Sequence, residues 1–582
     1  MKLKEWFGNK YNRHYLVYIF CTLVWYVVNY FRVNGTGGQW AFFNEFIGFS
    51  VFLMLVIRYG FKSFFKLIYA GAIVISALAF YPILKAFAPQ NDYCLQFAGR
   101  YINAVLCILL LIRAFIYFFK EEKRERSIKL SACLVIWALM MLACVASKNQ
   151  STWPMWAVVS LGSFYVIPLT REEKVSLTNG LVDGIIINFF IYQGLALLHR
   201  PYEVEWIRYC GFFSNSDCSA KFFTVSYAGF LTKYLILKKK DSKLWLQIVT
   251  FMFASAMWGF IFFTMTRSGF VGMTFTTLIF LILYKYLFDA KFLGIVKVAL
   301  GIVIIAVFSI PIIYVSIRYI PALRHHPIFI GRYSETRVHS WDPVDSDKYA
   351  TFEDVIYSYY DKYIGSPTGE LRTTNRILSI QKKYILEAED DTNQEVKLDT
   401  DVQAEVSSLA IDGEKVIEYK DGVNPGADEL HPAFIERSYN NTFEKLLGIR
   451  KYVYRYYFEK AGFRGNKEEY VTGNIGDGET YTSAHNSTLD FMSRYGYIAG
   501  VLFFVFQIIV FVQGLIHTKK HGQYTDIGAV LATLTSSAYF AWGLFYSVAF
   551  TGEIMDTLFW ISVAFVMSKG SQRGKEEGNT YN

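Results

Sequence analysis

The sequence predicts an all-α polytopic integral membrane protein with about 14 transmembrane helices (12–14) and one large extracytoplasmic loop before the last three. Three observations carry that expectation. Apolar segments follow one another along almost the whole chain, and several reach or approach the ~20 residues that cross a ~30 Å hydrocarbon layer. Hydrophobic residues make up 53% of the chain and aromatic residues 18%, more apolar mass than a water-soluble core of this size would hold. Finally, Lys and Arg concentrate in every second connection, as they do in cytoplasmic loops.

The first apolar run lacks a small-residue cleavage site, so it reads as a retained first helix and not as a signal peptide. Lys2, Lys4, Lys10 and Arg13 set the N-terminus in the cytoplasm. From there helices are expected near 14–32, 41–57, 63–84, 101–119, 128–147 and 153–169. The next are near 181–199, 219–237, 244–265, 268–288 and 294–319, and after the loop come 487–516, 524–548 and 554–568. The connections assigned to the cytoplasm hold Arg58, Lys62 and Lys66, the run Lys120 to Arg126, Arg171 and Lys174, Lys238 to Lys240 with Lys243, Lys291 and Lys297, and Lys519 with Lys520. The tail adds Lys569, Arg573 and Lys575, whereas outer connections such as Pro89 to Asp92 and Asn149 to Thr152 are poorer in charge.

Charge separates the loop from the rest. Residues 320–484 contain 20 basic and 29 acidic side chains, a net of −9, which leaves +18 on the remainder of a chain whose formal total is +9. The overall positive charge therefore reflects topology, and no nucleic-acid partner is expected. Within the loop, Tyr357 to Tyr363 is aromatic-rich, and Thr373 to Glu389 and Ala433 to Ala461 space their apolar residues as helices do. Glu387 to Gln394 reads as an exposed acidic turn or spacer. Cys21, Cys107, Cys133 and Cys144 fall inside expected helices as small apolar fillers, while Cys210 and Cys218 share an outer loop where an oxidising compartment could pair them.

Three short stretches carry chemistry, and the topology sets all of them on the outer face. Arg208-Tyr-Cys-Gly-Phe-Phe-Ser-Asn-Ser-Asp-Cys-Ser-Ala220 leads into the eighth helix, Thr266-Arg-Ser-Gly269 turns between the ninth and tenth, and Ala484-His-Asn-Ser-Thr-Leu-Asp490 opens the twelfth. Arginines at helix mouths suit an anionic, lipid-linked substrate, because the planar guanidinium grips phosphate oxygens in pairs. A histidine beside them can take a proton near neutral pH. Plainer readings stand next to these. Arg267 could snorkel to headgroups, Arg208 could sit in a loop salt bridge, His485 could be an interfacial anchor, and Gly496 with Gly500 could serve close helix packing.

Four further residues have two readings each. Asn486 either orients His485 or a sugar, or caps the twelfth helix. Lys221 either adds positive charge to a phosphate site or neutralises Asp217. Arg494, nine residues beyond His485 and so about 13 Å deeper along one helix, either lines a cavity or pairs with a buried acid. Asp490 could orient His485, although five residues is a poor helical spacing for it. His325, His326, His339 and His431 match no zinc spacing, and no metal site is expected.

The three stretches resemble the O-antigen ligase and polysaccharide polymerase superfamily of bacterial envelope glycosyltransferases. Arg208-x-x-Gly-Phe-Phe-Ser-Asn-Ser-Asp resembles that family's Arg-x-x-Gly-x-Phe-x-Asn-Pro-Asn element, departing from it at Ser216 and Asp217. Thr266-Arg-Ser-Gly269 resembles its Ser-Arg-Ser/Gly turn, and His485-Asn-x-x-Leu489 with Gly496 and Gly500 resembles its His-Asn-x-x-Leu…Gly-x-x-x-Gly signature, the most specific of the three. The resemblance covers roughly residues 180–565.

It implies a GT-C-like fold in a bacterial cytoplasmic (inner) membrane, with the active site facing outside. It also implies a metal-independent glycosyltransferase without a cofactor, taking an undecaprenyl-pyrophosphate-linked oligosaccharide donor and a glycan hydroxyl acceptor. By motif position Arg208 and Arg267 would hold the pyrophosphate and His485 would activate the acceptor. Asn486, Lys221 and Arg494 are the accompanying substrate-binding candidates. The chain then divides into helices without matched motifs (1–180), helices bearing the arginine motifs (181–319), a partly helical outer domain (320–484), three last helices opening with the His-Asn motif (485–568) and a cytoplasmic tail (569–582).

Polymerase and ligase differ only in acceptor, and polymerase is the first expectation. A lipid-linked oligosaccharide flippase is the rival class. It would need no such outer domain and would carry charges deep in its helices, whereas Arg113 and Asp183 fall near cytoplasmic ends and Glu45 near an outer end. Topology is open to direct measurement. A cysteine at Gly426 should react with an impermeant maleimide added outside intact cells, and one at Lys239 should react only after permeabilisation. The reverse pattern would put His485 in the cytosol.

Overall fold

The computed structural model describes residues 8–34, 131–149, 153–166, 171–197, 208–213, 216–322, 450–467, 483–521, 527–546 and 554–567, with single positions at 6, 53, 54, 57, 169, 352, 355, 356, 359, 473, 474, 480 and 481. The spans expected at 63–84 and 101–119, nearly all of 41–57, most of the loop including 373–389, and the tail lie outside the described residues.

Within them the protein is helical. The first half contains α1 (Lys10–Asn34), α2 (Ala132–Val145), α3 (Trp153–Val166) and α4 (Arg171–Ala196). Next come α5 (Ser216–Lys239), α6 (Leu244–Thr264), α7 (Arg267–Phe288) and α8 (Phe292–Ala322). The second half has α9 (Arg450–Ala461), α10 (Ser487–Tyr495), α11 (Tyr497–His521), α12 (Ile527–Gly543), α13 (Ile554–Ser562) and α14 (Ala564–Met567). A two-residue antiparallel hairpin pairs β1 (Gly473–Asn474) with β2 (Thr480–Tyr481) just before the His485 stretch, a small addition to the all-α expectation.

Five of the described helices are long and apolar enough to cross a membrane: the bulk of α4, α6, α7, α8 and α11. Their surfaces fit that setting. On α8, Phe308, Ile312 and Val315 are 71%, 67% and 52% exposed, a face that hydrocarbon would cover and water would penalise. At 31 residues α8 is about 46 Å long, longer than a ~30 Å hydrocarbon layer is thick, and it leads into the hydrophilic segment.

Local chemistry sets the ends. Lys238 to Lys240 close α5, and Asp241 turns the chain with φ +46° into α6. Met265 ends α6 in the left-handed region, so that Arg267 begins α7 only three residues after Thr264. At the opposite end of the bundle Lys238 lies over the rings of Tyr284 and Phe288, and Lys519 over Tyr286, which gathers the basic ends of α5, α7 and α11. Asp183 of α4 pairs with Lys233 of α5 at 2.7 Å and accepts from the Tyr15 hydroxyl of α1 at 2.8 Å.

Three expected boundaries change. The helix expected from 181 begins at Arg171, because Glu172 and Glu173 in its first turn complement the helix dipole and no breaker intervenes. As a result Arg171 and Lys174 are helical and not part of a connection. The last expected span, 554–568, is interrupted at Val563.

The third change matters most: the span expected over 487–516 is two helices. Gly496 breaks it with φ +97°, a conformation side chains rarely adopt, and the Phe463 carbonyl and Gly465 amide fill the space a Cβ would take. The start of α10 leans on residues 544–546 beyond α12, and its end is held by Asn466, whose backbone N–H reaches the Ser493 carbonyl at 3.2 Å. The break falls after Arg494, which therefore closes α10 just before α11 begins.

Gly496→Ala should then lose about 2 kcal/mol or more of stability, from left-handed strain added to a backbone collision. Thermal unfolding of the detergent-solubilised protein would measure it, with Gly462→Ala, where a Cβ meets nothing within 4 Å, as the reference for left-handed strain alone.

Candidate functional site

The three chemistry-bearing stretches converge at the end of the bundle where α5, α7 and α10 begin. Arg208 is delivered by its neighbour: the Tyr209 N–H donates to the Phe263 carbonyl of α6 at 2.8 Å, and the Tyr209 ring stacks on Phe223 of α5. Burial pushes the Tyr209 phenol well above its ordinary range, which suits a neutral clasp. The Ser219 hydroxyl of α5 donates to the Cys210 carbonyl, closing the same stretch onto its helix. Cys210 and Cys218 are both buried thiols.

Arg267 is the first residue of α7, and close packing fixes its position. Gly269 lies against Ala220 of α5, next to Lys221, and Gly272 against the indole of Trp542 in α12. A cation at the start of a helix opposes the helix dipole, so Arg267 adds positive potential where the peptide N–H groups already supply it. Both arginines are partly buried. Tyr359, from the aromatic stretch of the hydrophilic segment, flanks this turn. Its ring stacks 4.7 Å from Phe262, its hydroxyl donates to the Phe262 carbonyl, and its edge meets Phe270.

The His485 turn is the most heavily braced part of the site. His485 has φ +49°, unusual for a side-chain-bearing residue. The Asp490 carboxylate accepts from the Ala484 N–H at 2.6 Å, and the Tyr454 hydroxyl of α9 bridges the carbonyls of His485 (3.2 Å) and Leu544 (2.9 Å). Asn486 caps α10 by accepting from the Leu489 N–H at 3.0 Å, and its amide donates to the Leu544 carbonyl at 3.1 Å. The Ser487 hydroxyl donates to the Tyr546 carbonyl at 3.3 Å. The His485 imidazole meets the Tyr546 ring edge to face, with centroids 5.7 Å apart.

Each expected site residue thus has a place. Arg208, Arg267 and His485 stand at one end, half-buried, where a substrate could reach them. Asn486 takes its capping role. The Asp490 carboxylate accepts from the Ala484 N–H and so braces the turn beside His485. Lys221 is 1% exposed, and its ammonium sits 4.1 Å from the centre of the Tyr546 ring. Arg494 is buried at the far end of α10 near Tyr457 of α9. Burial raises the Tyr457 phenol well above its usual range, the Asp490 carboxylate raises it further, and Arg494 opposes that.

The sequence reading missed Trp542, Tyr546, Tyr454 and Tyr359. Trp542 and Tyr546 end an apolar helix and pass as interfacial aromatics, and the two other tyrosines lie in a hydrophilic stretch. Among the described residues no group of three His, Cys, Asp or Glu side chains is set to hold a metal ion. Compared with protein-family models, curated proteins and solved structures, the chain matches none.

Chemically, the arrangement offers guanidinium charge at one end of the bundle to an anion, with an imidazole at the same end to accept a proton. Removing one brace should be measurable by itself. Tyr454→Phe leaves the His485 and Leu544 carbonyls without this donor, and should cost about 1 kcal/mol in thermal unfolding.

Proposed function

We propose that this protein is a glycosyltransferase on the outer face of a bacterial cytoplasmic membrane. It joins undecaprenyl-pyrophosphate-linked oligosaccharide units, as a polymerase or as a ligase to another glycan-bearing acceptor. The wider frame of that reading is about 14 spans in a GT-C-like arrangement with both termini inside. The observation that carries it is the convergence of the Arg208, Arg267 and His485 stretches at one end of the helical bundle, from three distant parts of the chain. The three motif resemblances point the same way.

The chemistry follows from those residues. The acceptor hydroxyl oxygen attacks the anomeric carbon of the donor sugar as the bond from that carbon to the pyrophosphate oxygen breaks. His485 takes the hydroxyl proton. Arg208 and Arg267 meet the charge that develops on the departing undecaprenyl pyrophosphate, each offering paired donors to phosphate oxygens. In this reading the arginines supply the charge stabilisation that a metal ion supplies elsewhere.

Purified protein in nanodiscs, given a short-chain polyprenyl-pyrophosphate glycan, tests the proposal. His485→Ala should lower transfer by roughly 10²–10⁴-fold with expression intact, and His485→Gln should not restore it. Arg208→Lys and Arg267→Lys should each lose most turnover, with the loss in kcat more than in donor KM, because lysine lacks the planar fork. EDTA should change little. Lysine serving as well as arginine at both positions, or loss of activity in EDTA, would overturn the arginine clamp.

A further inference from the structure

Lys221 is among the most completely buried large side chains of the protein, and the reaction just proposed leaves its role open. Its ammonium stands 4.1 Å from the centre of the Tyr546 ring, and the same ring meets the His485 imidazole at 5.7 Å with planes inclined by 65°. Tyr546 is itself fixed by its backbone carbonyl, which accepts from Ser487 two residues beyond His485. Trp542, four residues earlier, donates its indole N–H to Thr224 of α5 at 3.2 Å, one turn along from Lys221. A charge that is 1% exposed reaches solvent anions poorly, yet it can hold an aromatic face strongly in a site of low dielectric.

We propose that Lys221 and Tyr546 form a positioning pair. The Lys221 charge clamps the Tyr546 ring, and the ring in turn sets the orientation of the His485 imidazole. Lys221 acts through Tyr546 and is not a ligand of the donor phosphate. The activity part of this inference rests on the glycosyltransferase reading, whereas the geometric part does not.

Two measurements on the full-length protein in nanodiscs test it separately. The first is the NMR signal of the His485 ring in ¹³C-histidine-labelled protein, assigned by its loss in His485→Gln. The ring current of Tyr546 should displace that signal. Tyr546→Leu should remove the displacement, Tyr546→Phe should keep it, Lys221→Met should diminish it, and Lys221→Arg should retain it, since a guanidinium also holds an aromatic face. A His485 signal unchanged by both Lys221→Met and Tyr546→Leu would overturn the pair, whatever the enzyme's activity.

The second measurement is transfer. Lys221→Met and Tyr546→Leu should each lower kcat about tenfold, the scale of one desolvated cation–π contact, with donor KM little altered. The double variant should be no worse than either single one. A rise in donor KM in Lys221→Met, with kcat and the His485 signal unchanged, would make Lys221 a direct phosphate ligand instead. Wild-type protein inactive on every lipid-linked glycan, but showing the expected signal changes, would refute the proposed function and leave the positioning pair standing.

Discussion

The five residues from Trp542 to Tyr546 tie the two halves of the bundle together. The Trp542 indole is wedged against Gly272 of α7 and bonded to Thr224 of α5, which fixes the helices that carry Arg267 and Lys221. The Leu544 carbonyl takes hydrogen bonds from Asn486 and Tyr454, and the Tyr546 carbonyl takes one from Ser487, which fixes the turn that carries His485. Two carbonyls beyond the last turn of α12 would otherwise need water or a new partner. Their satisfaction by the His485 turn gives the site one set of positions.

This construction has an energetic logic suited to a membrane. Between apolar helices in lipid the hydrophobic effect discriminates little, so close contact and hydrogen bonding decide which helices meet. The contact of Gly272 with Trp542, and the bond from Trp542 to Thr224, are such devices. The ion pair of Asp183 and Lys233, joined by Tyr15, does similar work for α1, α4 and α5 away from the site. Asp183, expected near a helix end, is instead the thirteenth of the 26 residues of α4, where its ion pair with Lys233 satisfies it, and the buried Lys221 has an aromatic face as its neighbour.

The hydrophilic segment is bound into the site and does not merely link helices. Tyr359 covers the turn before Arg267, Tyr454 bridges the carbonyls around His485, and the residues after α9 hold the end of α10. Arg464 also reaches the Ala146 carbonyl beyond α2, joining an N-terminal helix to the same structure. The end of the bundle that holds Arg208, Arg267 and His485 is therefore assembled from both apolar helices and this segment.

Much of the architecture was legible in the residues. Apolar run lengths gave the helices from α5 to α8 to within three residues at each end, because continuous hydrophobicity in lipid leaves a backbone no other way to satisfy itself. The three motif stretches were legible because arginine and histidine at helix mouths are chemically conspicuous. The break at Gly496 was not, since a glycine in an apolar run is equally a packing residue, and only the Phe463 carbonyl and Gly465 amide beside it decide for a turn. Asn486 had two readings until Leu489 and Leu544 supplied its partners. Tyr546 and Trp542 were invisible as site residues for a general reason. A sequence records which side chains exist and their periodicity, so it determined the helices and the candidate chemistry. Which distant side chains meet depends on contacts hundreds of residues apart, such as Trp542 with Thr224, and only tertiary packing decides those.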